Sequence, residues 1–103
     1  MSKYGLHGKL KSMAGDSAKL TRVLLEASKL VSTAKGCRLY LISKDKTDND
    51  SIWVTEVWDS KEDHDDSLKA EGVKVLISQA MPLIEGTPEK GQELEILGGK
   101  GID

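Results

Sequence analysis

Between Ile52 and Trp58 the chain reads Ile-Trp-Val-Thr-Glu-Val-Trp, and no other segment constrains the fold as much. Every residue of this run except Glu56 is β-branched or aromatic, which suits a pleated strand and disfavours a helix. Side chains alternate along a strand, so Val54, Glu56 and Trp58 share one face while Trp53, Thr55 and Val57 share the other. Large apolar groups lie on both sides. A sheet built around this strand therefore needs cover on each face.

The neighbouring segments supply that sheet. Tyr4 to Lys11 alternates weakly, with Leu6 and Leu10 on one face, and reads as a first strand. Ala14-Gly15-Asp16-Ser17 is a turn leading into an N-cap, and Ser17 to Ala34 carries Leu20, Val23, Leu24, Ala27, Leu30, Val31 and Ala34 at helical spacing. Gly36 follows as a helix-ending signal. Cys37 to Ser43 is a strand, and the polar stretch Lys44 to Ser51 joins it to Ile52–Trp58 as a hairpin. Ser60-Lys61-Glu62-Asp63 resembles a capping box and opens a helix running to about Ala70. Gly72 interrupts it, and Val73, Leu76, Ile77, Ala80 and Met81 continue an apolar stripe that Pro82 ends or kinks. A loop over Gly86–Gly91 precedes a last strand, Glu93 to Leu97.

The order β-α-β-β-α-β predicts one α+β domain over residues 1–103, a ferredoxin-like antiparallel sheet with its helices on one face. The other face would present Leu39, Trp53 and Val57 to water. Back-to-back packing of two copies would cover it, so a homodimer is expected; the alternative is a partly polar sheet facing solvent.

Composition narrows the partners. Lys and Arg number 15 against 17 Asp and Glu, for a net charge of -2, and the signs alternate along the chain. Nucleic-acid binders carry a basic excess or stripe, and the acidic cluster Asp59 to Asp66 would repel phosphate. No apolar run approaches the ~20 residues that span a bilayer. Cys37 is the single cysteine, and no apolar leader follows Met1, which together predict a cytoplasmic protein. With no Phe, the two Trp are a large share of the bulky apolar area.

Metal chemistry finds little support. Asp45 to Asp50 (Asp-Lys-Thr-Asp-Asn-Asp) is calcium-like in composition, but its ligand spacing and terminal Glu are wrong. His7 and His64 are far apart in sequence, and there is no cysteine pair or phosphate loop. The more informative group is Glu56, which costs energy to bury beneath helices unless it is paired. His64 falls in the first turn of the second helical region, and Leu68 lies on the same side of that helix. These positions outline an apolar pocket with an indole wall, Trp58, and an imidazole at its rim. The plainer readings are that His64 pairs with Asp63 or Asp65, that Glu56 pairs with Arg38 across the hairpin, and that Trp58 is core.

Gly36-Cys37-x-x-Tyr40, then Val54-Thr55-Glu56-Val57-Trp58, His64-x-x-Ser67-Leu68 and Met81-Pro82-Leu83-Ile84, with Gly8-Lys9-Leu10 and Gly15 before them, resemble the antibiotic biosynthesis monooxygenase (quinol monooxygenase-like) family from about Gly5 to Ile96. The resemblance implies a dimeric α/β-barrel and a cofactor-independent monooxygenase, without metal or flavin, that oxidises a small aromatic or quinol with O₂. It implies Trp58 and His64 as catalytic residues, with Glu56 orienting His64 or serving as a structural charge, and a substrate pocket that includes Val54, Leu68 and Tyr40. One departure stands out. Better-understood members carry a polar amide four residues before the strand-terminal Trp, where this chain has Val54. That favours, as an alternative, a non-catalytic small-ligand-binding or stress-response protein. The haem-degrading branch needs an Asn on the first strand, where this chain has none, and a Trp and a His where it has Ser67 and Ile77.

Overall fold

The computed structural model describes residues 2–88 and 91–102. Strand β1 (Lys3–Lys11) is followed by helix α1 (Ser17–Val31), strands β2 (Cys37–Lys44) and β3 (Ser51–Trp58), helices α2 (Lys61–Ser67) and α3 (Glu71–Ala80), a 3₁₀ turn (Met81–Leu83) and strand β4 (Gln92–Ile96). The strands form one antiparallel sheet in the order β2-β3-β1-β4, the ferredoxin-like arrangement expected from the element order. Of the loop expected over Gly86–Gly91, residues 89 and 90 lie outside the described residues.

Register sets the two faces. Trp58 pairs with Tyr4 and Cys37, Glu56 with Leu6 and Tyr40, and Val54 with Gly8 and Ile42. These residues face the helices. Two apolar clusters fill the space between the layers. Leu20, Leu24, Ile52, Ala80 and Ile84 form one, and Val31, Trp58 and Val73 form the other. Trp58, Leu20 and Ile52 are fully buried and anchor them.

Several local expectations are corrected. Helix α1 stops at Val31 and not Ala34: Ser32 and Thr33 hydroxyls bond back to the carbonyls of Lys29 and Leu30, Ala34 N–H reaches the Val31 carbonyl, and Gly36 takes a positive φ. The helix break falls before Gly72, at Ala70, whose backbone is extended. Gly72 instead sits in the first turn of α3, where Leu30 of α1 packs so closely that a Cβ would lie 2.8 Å from it. The N-cap of α1 is Asp16, and the Ser17 hydroxyl donates to the Asn49 carbonyl across the β2–β3 connection. Ser60 does cap α2, accepting from Asp63 N–H at 3.1 Å.

On the outer face, Val57 is only 4% exposed. Gly5 and Leu39 flank it in register, and Ile96 lies over Gly5 where a side chain would otherwise stand. Trp53 is half-covered as well: His7 stacks on it at 4.8 Å and 11°, and its indole N–H donates to Asp45. Leu41 and Leu94 remain about half exposed beside them, at 49% and 45%.

Candidate functional site

Glu56 is the central feature of the interlayer space. It sits mid-strand on β3, flanked by Tyr40 and Leu6, and is 8% exposed. Desolvation raises its carboxyl above the ordinary carboxylate range, while the Trp58 hydrogen bond and the His64 charge pull it partly back. The indole N–H of Trp58 donates to Glu56 Oε1 at 3.0 Å. The same oxygen is 3.8 Å from His64 Nε2.

The expected partner Arg38 is elsewhere. A bulge between Cys37 and Leu39 makes Arg38 the extra residue of β2, and its guanidinium binds Asp59 through Nε and Nη2 at 2.7 and 3.0 Å. Glu56 faces His64 instead. His64 lies on α2, where the Ser60 cap starts the helix, and its Nδ1 is 2.9 Å from Asp65 Oδ1. Tyr4 and Trp58 hold the imidazole from the sheet side, with ring centroids at 5.6 and 5.8 Å. The Tyr4 hydroxyl donates to Glu93 at 2.9 Å; burial first, and then Glu93, push it up to about 12.

Two cavities meet at Glu56. The larger, about 270 Å³, is an apolar cleft between sheet and helices whose walls include Leu6, Val54, Ile77 and Met81, with Lys9 also on its lining. The smaller, about 90 Å³, runs toward His64, Ser67 and Leu68. Tyr40 and Glu56 line both. Desolvation, then the Glu56 charge, hold the Tyr40 phenol well above its ordinary value. Among the described residues, Glu56 is the one carboxylate on the wall of either cavity.

Sequence reasoning placed Val54, Glu56, Tyr40, His64 and Leu68 at a common site, and all five line this double cavity. Leu68 sits at its outer edge, 43% exposed. Trp58 needs correcting: it is fully buried under Val31 and Val73 and lines neither cavity, because α1 and α3 close over that end of the strand. It acts on the site as a donor to Glu56, not as a wall. Sequence reasoning missed Tyr4. Its signal was the weak alternation of β1, which puts it opposite Trp58, blurred by Gly5 and Gly8.

Asp45 to Asp50 is a self-capping hairpin loop. Asp45 Oδ1 accepts from Thr47 and Asp48 backbone N–H groups and from the Thr47 hydroxyl, and Asp48 accepts from Asp50 N–H and the Ser51 hydroxyl. Among the described residues no group of three or more His, Cys, Asp or Glu is arranged to hold a metal ion.

The sheet order, the helices on one face and a carboxylate buried at an interlayer cavity define a ferredoxin-like α+β protein with an apolar cavity beneath its helical layer. Residues 4–78 match the profile of the antibiotic biosynthesis monooxygenase family, and the chain belongs to that family. A candidate member from Chloroflexus aurantiacus J-10-fl is 38% identical, with 98% of this chain and 99% of that one covered, at a TM-score of 0.87. A candidate from Deinococcus radiodurans is 25% identical over 97% and 96% of the two chains, TM-score 0.75. One from Caulobacter crescentus CB15, at 20% identity over 94% and 92% with TM-score 0.86, is a likeness of fold alone. No curated protein sequence matches the chain. No helix among the described residues is long and apolar enough to cross a membrane.

Proposed function

We propose that the protein is a cofactor-independent monooxygenase that oxidises a small phenol or hydroquinone with O₂ in the cleft beside Glu56. The observation that carries this reading is an apolar cavity of about 270 Å³ with one buried carboxylate on its wall. That volume lies just below the ~300–1,000 Å³ of ordinary small-molecule sites, which favours a compact aromatic. A phenolate is electron-rich enough to pass an electron to oxygen itself, so the protein need only remove a hydroxyl proton and keep water away. The Glu56–His64 pair supplies the proton acceptor, Trp58 holds Glu56 in place, and Val54, Tyr40 and Leu68 shape the pocket.

A homodimer joined through the outer sheet face, closing into a β-barrel, is part of the same proposal. The exposed Leu41 and Leu94 beside Val57 support it. A cytoplasmic location goes with it, supported by the single unpaired cysteine, Cys37.

Oxygen uptake by the purified protein with a panel of hydroquinones, no cofactor added, tests the activity. Uptake above the buffer control, with mass-spectrometric incorporation of one ¹⁸O atom per product, is expected. Uptake equal to the control across the panel would remove the reading. Val54, an apolar residue on the cleft wall, favours the second reading, a non-catalytic binder of small aromatics. That protein would bind the same panel and turn over none of it.

A further inference from the structure

We infer that Glu56, His64 and Asp65 form a proton path from the interlayer cavity to solvent, with Glu56 meeting the ligand hydroxyl and His64 relaying behind it. The inference rests on the reading above and reverses the simplest assignment, in which His64 is the base and Glu56 merely orients it.

Position decides the order. Glu56 lines both cavities, whereas His64 lines only the smaller one. A ligand in the larger cleft therefore meets the carboxylate first. Side-chain exposure then rises outward along the three groups, from 10% at Glu56 to 13% at His64 and 50% at Asp65. A carboxylate can only accept, so Asp65 Oδ1 at 2.9 Å fixes a proton on His64 Nδ1. That leaves the Nε2 lone pair facing Glu56 Oε1 at 3.8 Å. This separation exceeds a hydrogen bond, and closing it takes a movement of about 1 Å, the kind of tightening that ligand binding brings to open sites.

The step balances in protons. The ligand O–H bond breaks and its proton bonds to Glu56. Glu56 passes it to His64 Nε2 while His64 Nδ1–H goes to Asp65 and on to water. A buried carboxylate without such an outlet would take one proton and stay occupied. The other titratable groups facing Glu56 are Tyr4 on β1 and Cys37 and Tyr40 on β2, and none stands between it and solvent in the same way. On β4, Glu93 reaches the region only through Tyr4. Lys9 lies on the larger cavity, away from His64, and α1 and α3 contribute only apolar side chains to both cavity walls.

Two measurements test the path. In steady-state oxidation of a hydroquinone, His64→Ala should lose about 10²-fold in turnover and recover saturably with added imidazole, while Glu56→Gln should not recover. Asp65→Asn should lose only a few-fold. A loss in His64→Ala that imidazole leaves untouched means a structural role and overturns the relay, as does wild-type turnover. Separately, ¹⁵N NMR of the imidazole needs no substrate. The relay predicts a neutral ring held as the Nδ1–H tautomer, which Asp65→Asn shifts toward Nε2–H. A neutral ring whose tautomer is indifferent to Asp65→Asn overturns the path. Absence of turnover with every hydroquinone, beside a tautomer that Asp65 fixes, would sink the oxygenase reading and leave the path standing.

Discussion

Trp58 and Glu56 stand two residues apart on one face of β3, and the indole N–H of the first is 3.0 Å from a carboxylate oxygen of the second. The larger apolar group thus protects the charge it also binds. Trp58 is fully buried between α1 and α3, so its position is fixed by packing and its hydrogen bond costs little to preorganise. Removing the donor while keeping much of the volume separates these roles. Trp58→Phe should raise the Glu56 carboxyl further and cost about 1–3 kcal/mol, the range for a hydrogen bond to a charged group left unpaired. Trp58→Ala should cost about 3–5 kcal/mol by opening a cavity. Carbon-13 NMR of Glu56 and urea denaturation read the two effects.

The pH dependence of Glu56→Gln follows from burial. The folded carboxyl is raised, so the folded state favours the protonated form. Its contribution to stability is fully present below the ordinary carboxylate pKa of about 4.3 and is lost as pH rises through the raised value. Glutamine has no such loss. The variant should gain on the wild type as pH rises from the ordinary carboxylate range through the raised value, with the difference flat at lower pH. Denaturation midpoints at a series of pH values give the curve, and the other carboxylates cancel in the difference.

Asp45 titrates with the opposite sign. The Thr47 backbone N–H first, then the Trp53 indole and Thr47 hydroxyl, lower its carboxyl to about 2. The ionised form is favoured by folding, so its contribution is present above the ordinary value and lost as pH falls toward 2. Asp45→Asn should lower the melting temperature at pH 6, and the gap to wild type should narrow below pH 4.

Two glycines should respond oppositely to alanine. A Cβ at Gly5 would lie 2.6 and 2.9 Å from two atoms of the Ile96 side chain and 3.3 Å from Leu94 Cβ, so Ile96 must leave its place over the strand, at about 1–3 kcal/mol. A Cβ at Gly72 would lie 2.8 Å from one Leu30 methyl, the end of a side chain that is 43% exposed and free to rotate away. Alanine there gains up to about 1 kcal/mol of helix propensity, so Gly72→Ala should be neutral or stabilising. Thermal denaturation of both variants checks the contrast.

These contrasts mark what the sequence revealed. Strand alternation and helical spacing gave the element order, and they put Val54, Glu56 and Trp58 on one face with His64 and Leu68 above them; Tyr40 came from the family resemblance. What alternation cannot convey is whether a face residue meets a void or another side chain. Trp58 obeys the pattern and is still sealed off, because Val31 and Val73, distant in sequence, close over it. The bulge that removes Arg38 from Glu56 is a one-residue slip with no Gly or Pro to announce it. Gly72 read as a helix breaker, yet it lies in the first turn of α3 beneath Leu30, a place only the α1–α3 packing reveals.

Transfer of a proton from an aromatic hydroxyl in the cleft to Glu56 is the step on which the proposed oxidation depends. Anaerobic mixing with a hydroquinone at pH 8, followed by ultraviolet absorption, measures it without any oxidation step. The red-shifted band of a bound phenolate is expected with wild type and its absence with Glu56→Gln. A ligand that binds with the spectrum of the neutral phenol, or the same band in both proteins, would contradict it.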